Sequence, residues 1–303
     1  MGIFDRFYYG KAGKADYTED DLPANRFQLF GQVLRVRFWS LIRLNLIQLL
    51  FWLPMIAATL MALMVLTGMG ADLTDQPADA VELYNQMMGL LQVYFLLLIP
   101  CILITGPSSA AAAYVTRNWA RDQHSFLWSD FKDALKANWK QGLCASAVSS
   151  VMPFLLLTGF RFYGQVAQDM PVAVAGQVLI ITIGAIWALA LTFVYPLMVG
   201  YEQRVGKLIR NALLLTVGRL PFVITLRLAT LLPLLAGLLL FYVGNLYGLL
   251  LIAAYYLLIG FALSRLACAS FCNGVFDAYI NPNIEGAPVN LGLRAADEDD
   301  DGE

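Results

Sequence analysis

Charge is what this sequence has least of. Of 303 residues, 14% are Asp, Glu, Lys or Arg and 59% are apolar, against about 25% and 45–50% in an average soluble domain. The deficit is concentrated in long apolar blocks, which excludes an ordinary soluble globular domain and a disordered chain. Histidine is rarer still, with His124 the single one. Zinc centres draw on several His or Cys ligands, or on two His of one helix, so no metal is expected. Four Cys are too few for a secreted disulfide scaffold. Cys101, Cys144, Cys268 and Cys272 are expected to be reduced thiols packing as small hydrophobes. There is no Walker-type phosphate loop, no G-x-S-x-G elbow, and no Asp or Glu inside an apolar block. The expectation is therefore a non-enzymatic chain with no catalytic residue, no cofactor and no nucleic-acid partner. The missing carboxylates also weigh against a proton-coupled transporter, which commonly uses them.

What is present is length. A membrane helix needs roughly 20 apolar residues to cross about 30 Å of hydrocarbon. Six segments qualify: 44–67, 90–113, 143–160, 172–199, 220–243 and 246–263. They are continuously apolar, unlike the alternating strands of about 10 residues in a membrane barrel. The fold class expected is all-α, a polytopic bundle of about six transmembrane helices in a lipid bilayer. Three regions follow: a polar N-terminal segment (1–26), one membrane domain (27–280) and an acidic, disordered tail (281–303).

Lys and Arg alternate strictly between the connecting segments. Those on one side hold 18, and those on the other hold only Arg161. Basic loops face the cytoplasm, so both termini are expected there. The first 26 residues carry no apolar signal-peptide region, so the first span itself is expected to direct insertion. The outer connection 68–89 has no basic residue and carries Asp72, Asp75, Asp79 and Glu82.

Two basic segments have helical spacing. In 129–141, Phe131, Leu135 and Trp139 form one stripe and Lys132, Lys136 and Lys140 another. An interfacial helix is expected, touching anionic lipid through its lysines or packing its apolar side on the spans. In 27–43, Phe27, Phe30, Leu34, Phe38 and Leu41 suggest a second such helix. Trp119 and Trp128 suit headgroup depth. Gly106-Pro107 is expected to interrupt the second span, because proline lacks a donor and crowds the preceding turn. The small residues from Ser108 to Ala113 allow close backbone approach.

Arg227 is the clearest intramembrane charge, roughly 10 Å from the basic end of the fifth span. It either snorkels or pairs with a loop carboxylate such as Glu202, or it serves a solute or gate. Asn45, Gln48, Gln92 and Gln177 are polar positions suited to interhelical hydrogen bonds. Pro54, Pro100, Pro196 and Pro233 lie within spans, where broken helices can build substrate sites.

Thr105-Gly106-Pro107, the small-residue run, Tyr114-Val115 and Arg117 resemble the signature of the YesL-like family of bacterial membrane proteins. His124-Ser125-Phe126, Ser129-Asp130-Phe131-Lys132 and Asn138-Trp139-Lys140-Gln141 continue the likeness. Leu44-Asn45-Leu46 with Trp52-Leu53-Pro54 resembles the family's first span, and Tyr195-Pro196-Leu197 and Phe276-Asp277 its later half. The acidic outer loop separates Pro54 from Thr105 by more than the family pattern does.

The resemblance implies a multi-pass protein of the bacterial cell membrane, in a family of unknown function. Members are often encoded near carbohydrate-uptake systems. It implies an accessory or scaffold role beside a sugar importer, with ABC transporter components as partners, and it supplies no catalytic residues. Thr105, Gly106, Pro107, Arg117, Arg121, Asp130, Phe131 and Trp139 are the candidate structural or interaction motif. The alternative is a small-solute transporter or channel in its own right; homo-oligomers fit either. A membrane enzyme would need Arg117, Arg121, His124 and Asp130 gathered round one polar cavity.

Overall fold

The computed structural model describes residues 22–75, 80–245 and 247–294. The polar N-terminal stretch before residue 22 and the acidic residues after 294 lie outside the described residues. The described chain is helical: α1 Arg26–Val36, α2 Phe38–Asp75, α3 Ala80–Trp119, α4 Leu127–Asp169, α5 Val174–Gly200, α6 Val205–Gly218, α7 Leu220–Tyr242, α8 Tyr247–Tyr255 and α9 Phe261–Tyr279. A π-helical stretch, Tyr256–Gly260, joins α8 to α9. Six helices are long and apolar enough to cross a membrane. Leucines such as Leu60, Leu96, Leu179, Leu232 and Leu250 are exposed on them, as a lipid-facing surface requires. The protein is a multi-pass, all-α membrane protein.

Helices α2, α3 and α4 have 38, 40 and 43 residues, so each runs about 60 Å, twice the hydrocarbon thickness. Two expectations change as a result. Residues 129–141 form no separate interfacial helix; they are the first turns of α4, continuous with the third span. The connection 68–89 is helical at both of its ends, through Asp75 and again from Ala80; residues 76–79 lie outside the described residues.

Nor does Gly106-Pro107 interrupt α3. Proline at 107 leaves the Leu103 carbonyl without its helical donor, and Ser146 of α4 supplies one, its hydroxyl donating at 2.8 Å. Gly106 makes this possible. A Cβ there would lie 2.2 Å from the Gly142 carbonyl oxygen and 2.3 Å from Ser146 Oγ. Gly142 is in turn pressed against Pro107, so it permits contact instead of breaking α4. The same device recurs at Pro196, whose freed acceptor, the Thr192 carbonyl, takes the Cys272 thiol proton at 3.3 Å. Prolines that would kink a lone helix here become joints between neighbours.

The core gathers at the Lys/Arg-rich end. Leu29, Leu41, Leu44, Ala111, Val115, Trp119, Phe131 and Leu266 form one buried cluster. Phe193, Leu197, Leu208, Ala212, Cys272 and Phe276 form another. Trp119 is 1% exposed, so it is a core residue and not a headgroup anchor; Trp128 does lie exposed. The helix expected over 27–43 ends at Val36, and its buried face is Leu29 and Val33, with Phe27 turned outward. Asn25 caps α1, accepting from Gln28 N at 2.9 Å. The connection between the fourth and fifth spans holds a helix, α6, because Leu208, Ala212 and Thr216 repeat every fourth residue and bury one stripe.

Residues 281–294, expected as the start of a disordered tail, fold back over this end. Arg294 N donates to Pro23 O at 3.0 Å, and Asn281 is buried. Prolines and turn glycines (Gly286, φ +73°; Gly292, φ +81°) shape the strap, and Asp277 holds it, accepting from Asn290 N at 3.1 Å. Both described ends of the chain therefore lie together.

The π stretch is held by a single side chain. Asn45 of α2 is fully buried. Its Nδ2 donates to the Tyr256 and Leu257 carbonyls, each at 2.9 Å. Its Oδ1 accepts from Phe261 N at 2.9 Å and Ala262 N at 3.1 Å. Four backbone groups of and beside the wide turn thus reach one amide. Asn45→Ala is expected to destabilise the protein by about 3 kcal/mol, since each buried polar group left unpaired costs about 1–3 kcal/mol. Thermal unfolding in mild detergent checks this; an unchanged midpoint would show that the π stretch needs no clamp.

Candidate functional site

Beside the π stretch lies a cavity of about 720 Å³, walled by α2, α3, α4, α5, α7 and α9. Its chemistry comes from two arginines. Arg227 enters from α7 and its Nε donates to Thr192 Oγ1 at 2.8 Å. Arg265 enters from α9; its Nη2 donates to Ser109 Oγ at 2.8 Å, and its guanidinium lies 5.0 Å from the centre of the Tyr195 ring. Neither finds a carboxylate: among the described residues, no Asp or Glu lines the cavity. Arg227 pairs with a hydroxyl, not with Glu202.

Gln48 completes the lining. It is 1% exposed, and neither atom of its side-chain amide has a hydrogen-bond partner among the described residues. The Trp52 indole N–H, also on the wall, is likewise buried and unpaired. Of the four polar span positions, Asn45, Gln92 and Gln177 make interhelical bonds: Gln92 accepts from Arg161 at 3.0 Å and Gln177 donates to the Phe160 carbonyl at 3.1 Å. Gln48 makes none. Buried donors without acceptors cost about 1–3 kcal/mol each, and two like charges in a low-dielectric interior cost more. An anion in the cavity would answer both.

The sequence motif is dispersed over the molecule. Thr105 reaches the cavity wall. Gly106 and Pro107 sit at the α3–α4 crossing, and Phe131 is core. Trp139 is exposed, with Lys140 over its ring. Asp130 accepts from Phe126 N at 2.9 Å, capping its own helix, and His124 packs edge-on to Phe126. Arg121 lies 3.7 Å from Asp277 and donates to the Pro288 carbonyl at 3.0 Å. The Arg117 guanidinium lies beside Gly200. Arg117, Arg121, His124 and Asp130 therefore do not meet in one cavity.

Among the described residues, Asp277 of α9 is the most connected carboxylate. It pairs with Arg26 of α1 and lies near Arg121. Burial pulls the Arg26 guanidinium below its usual pKa, and the attraction of Asp277 opposes that. Beside them, the Tyr201 hydroxyl donates to Asn281 Oδ1 at 2.6 Å. Burial raises the Tyr201 pKa to about 12, against the pull of Arg117. A raised acid gives stability that is complete below its unfolded value, about 10, and lost as pH climbs through 12. Tyr201→Phe is expected to be less stable than the parent at pH 8 by about 1 kcal/mol. The gap should close by pH 12 in thermal unfolding scans; a constant gap would assign Tyr201 packing alone.

Sequence reasoning missed Arg265, which it counted among the basic residues beyond the sixth span. The helix continues past Leu263, and only the register of α9 against α3 and α5 turns Arg265 inward. Ser109 read as one more small residue. The small residues of 264–274 (Ser264, Ala267, Cys268, Ala269, Ser270, Cys272, Gly274) were the available signal that this helix is packed on protein.

Residues 87–160 match the family model described as "Protein of unknown function, DUF624". The matched stretch spans most of α3 and α4 and so contains the Gly106–Gly142 crossing and Ser146. Neither the curated proteins nor the solved structures compared with the chain give a match.

Proposed function

We propose that this membrane protein binds an anionic solute in the arginine cavity and carries it as a transporter in its own right, without covalent chemistry. One observation supports the reading above others. Two guanidiniums and an unpaired, buried Gln48 converge on a cavity that has no carboxylate among the described residues. Arginine forks suit carboxylate and phosphate groups. The π-helical turn beside the cavity, inside an otherwise continuous helix, is a feature frequent at functional sites. The basic end is taken as cytoplasmic from its excess of Lys and Arg.

The test is thermal unfolding of the purified protein in neutral detergent, against inorganic phosphate and dodecyl phosphate. At least one should raise the midpoint, by the equivalent of about 2.7 kcal/mol at a hundredfold excess over Kd. Arg227→Gln and Arg265→Gln should each remove that gain. A midpoint that neither anion raises above that of the ligand-free protein would sink the reading, as would variants that respond like the parent.

A second reading, an accessory protein beside a sugar importer, is drawn from the YesL-like resemblance. The surface it would use is a groove of about 810 Å³ at the basic end, carrying Asp130, Asp133 and Glu202. Crosslinking at native expression should then recover importer subunits, with less recovered from Asp133→Lys. Recovery of this chain alone would remove that reading.

A further inference from the structure

Polarity is graded across the cavity. Its deepest lining is polar: Gln48, Thr105, Ser109 and Tyr195 are each at most 5% exposed, with Arg227, Arg265, Ser149, Thr230 and Ser264 part-buried around them. Its exposed lining is apolar: Ala188 on α5, and Ile224, Leu228 and Leu231 on α7. Ala188 and Leu228 sit well inside their spanning helices, so the opening is in the side of the bundle, between α5 and α7, and faces hydrocarbon. Helix α7 packs closely on α8, where a Cβ on Gly248 would lie 2.3 Å from the Gly237 carbonyl oxygen. The cavity lies between α5 and the middle of α7, which the Arg227–Thr192 bond and the Val223 contact join on its deep side.

A cavity of about 720 Å³ lies within the roughly 300–1,000 Å³ of sites for organic molecules. It greatly exceeds a small inorganic anion, since one water occupies about 30 Å³. A small hydrated anion would leave the apolar half of the lining facing water, which is unfavourable. It would also have to reach the arginines through hydrocarbon.

We infer that the cavity takes an amphiphile: a molecule with one acidic head, phosphate or carboxylate, and an aliphatic body. It enters sideways from the bilayer, head first, between α5 and α7. The head lies between Arg227 and Arg265 with the Gln48 amide and Trp52 indole as further donors. The body lies along Ile224, Leu228 and Leu231. This rests on the anion-binding reading and names its substrate class.

The experiment is equilibrium binding of radiolabelled dodecyl phosphate to the full-length protein in neutral detergent, with competition by dodecanol and by inorganic phosphate. Saturation near one molecule per chain is expected, with neither competitor displacing it at a hundredfold excess. Arg227→Gln and Arg265→Gln should each weaken binding at least tenfold. Leu228→Trp, a change on the lipid-facing rim that leaves the buried core untouched, should weaken it by a similar factor by filling the entrance. Displacement by equimolar inorganic phosphate would overturn the amphiphile and leave the anion reading standing. Displacement by equimolar dodecanol, with normal binding to both Arg variants, would overturn both readings, as would no binding of dodecyl phosphate or inorganic phosphate.

Discussion

Gly106→Leu is expected to destabilise the folded protein strongly. The α3–α4 crossing is built on backbone contact. A Cβ at 106 would fall 2.2 Å from the Gly142 carbonyl oxygen, and at 142 it would fall 2.9 Å from Pro107. Overpacking against mobile side chains costs about 1–3 kcal/mol; here the obstacle is main chain on both sides. Moving the helices apart would also break the Ser146–Leu103 bond and leave the carbonyl that Pro107 frees without a donor in the membrane. We expect more than about 3 kcal/mol of destabilisation, lowering the unfolding midpoint by roughly 10 °C, and near-complete loss of monodisperse protein in detergent. Gly206→Leu is the control, because nothing lies within 4 Å of a Cβ at that position. If Gly106→Leu matches the control in yield and midpoint, the crossing does not hold the bundle together.

The second large effect is expected at Asp277. Its side chain is 4% exposed, and those of Arg26 and Arg121 are 16% and 6% exposed. The carboxylate also accepts from Asn281 Nδ2 and Asn290 N. Asp277→Ala would leave a buried guanidinium, Arg121, and a part-buried one, Arg26, without their counter-charge, an uncompensated state that costs about 3–5 kcal/mol. It would release α1, tied by Arg26, and the 284–294 strap, tied through Asn290. The expected result is a lower unfolding midpoint together with new protease cleavage in residues 22–37 and 284–294. Asp277→Ala combined with Arg26→Leu should recover part of the loss, because one of the stranded charges is gone. Strictly additive effects would show that Arg26 and Asp277 are not coupled.

Little of the site was legible beforehand, and particular residues show why. Arg227 stood out because charge inside an apolar block is visible by composition alone. Arg265 lay just past an apolar block and was counted with the basic residues of the C-terminal segment, and Asp277 stood out only through the family resemblance. Composition cannot say how far a helix continues after its hydrophobic stretch ends. Gly106-Pro107 was read as a break because a proline in isolation breaks a helix. The donor that removes the penalty, Ser146, is 39 positions away and belongs to another helix. Asn45 and Gln48, one turn apart on α2, looked equivalent. One clamps the π stretch and the other is left unpaired in the cavity, a distinction set by what α9 presents to each.

The sequence by itself determined that the chain crosses a membrane about six times as helices, where its spans lie, and on which end its Lys and Arg collect. These follow from transfer energies of residues taken one at a time, and such terms add along the chain without reference to any partner. Tertiary structure alone decided which prolines become joints, which arginines share a cavity and which asparagine holds the sixth helix open. Each depends on a directional contact between residues distant in sequence, where a shift of one helical position changes the partner. In lipid a polar group has no water to fall back on, so the packing of one helix on another settles whether it is paired or left waiting for a ligand.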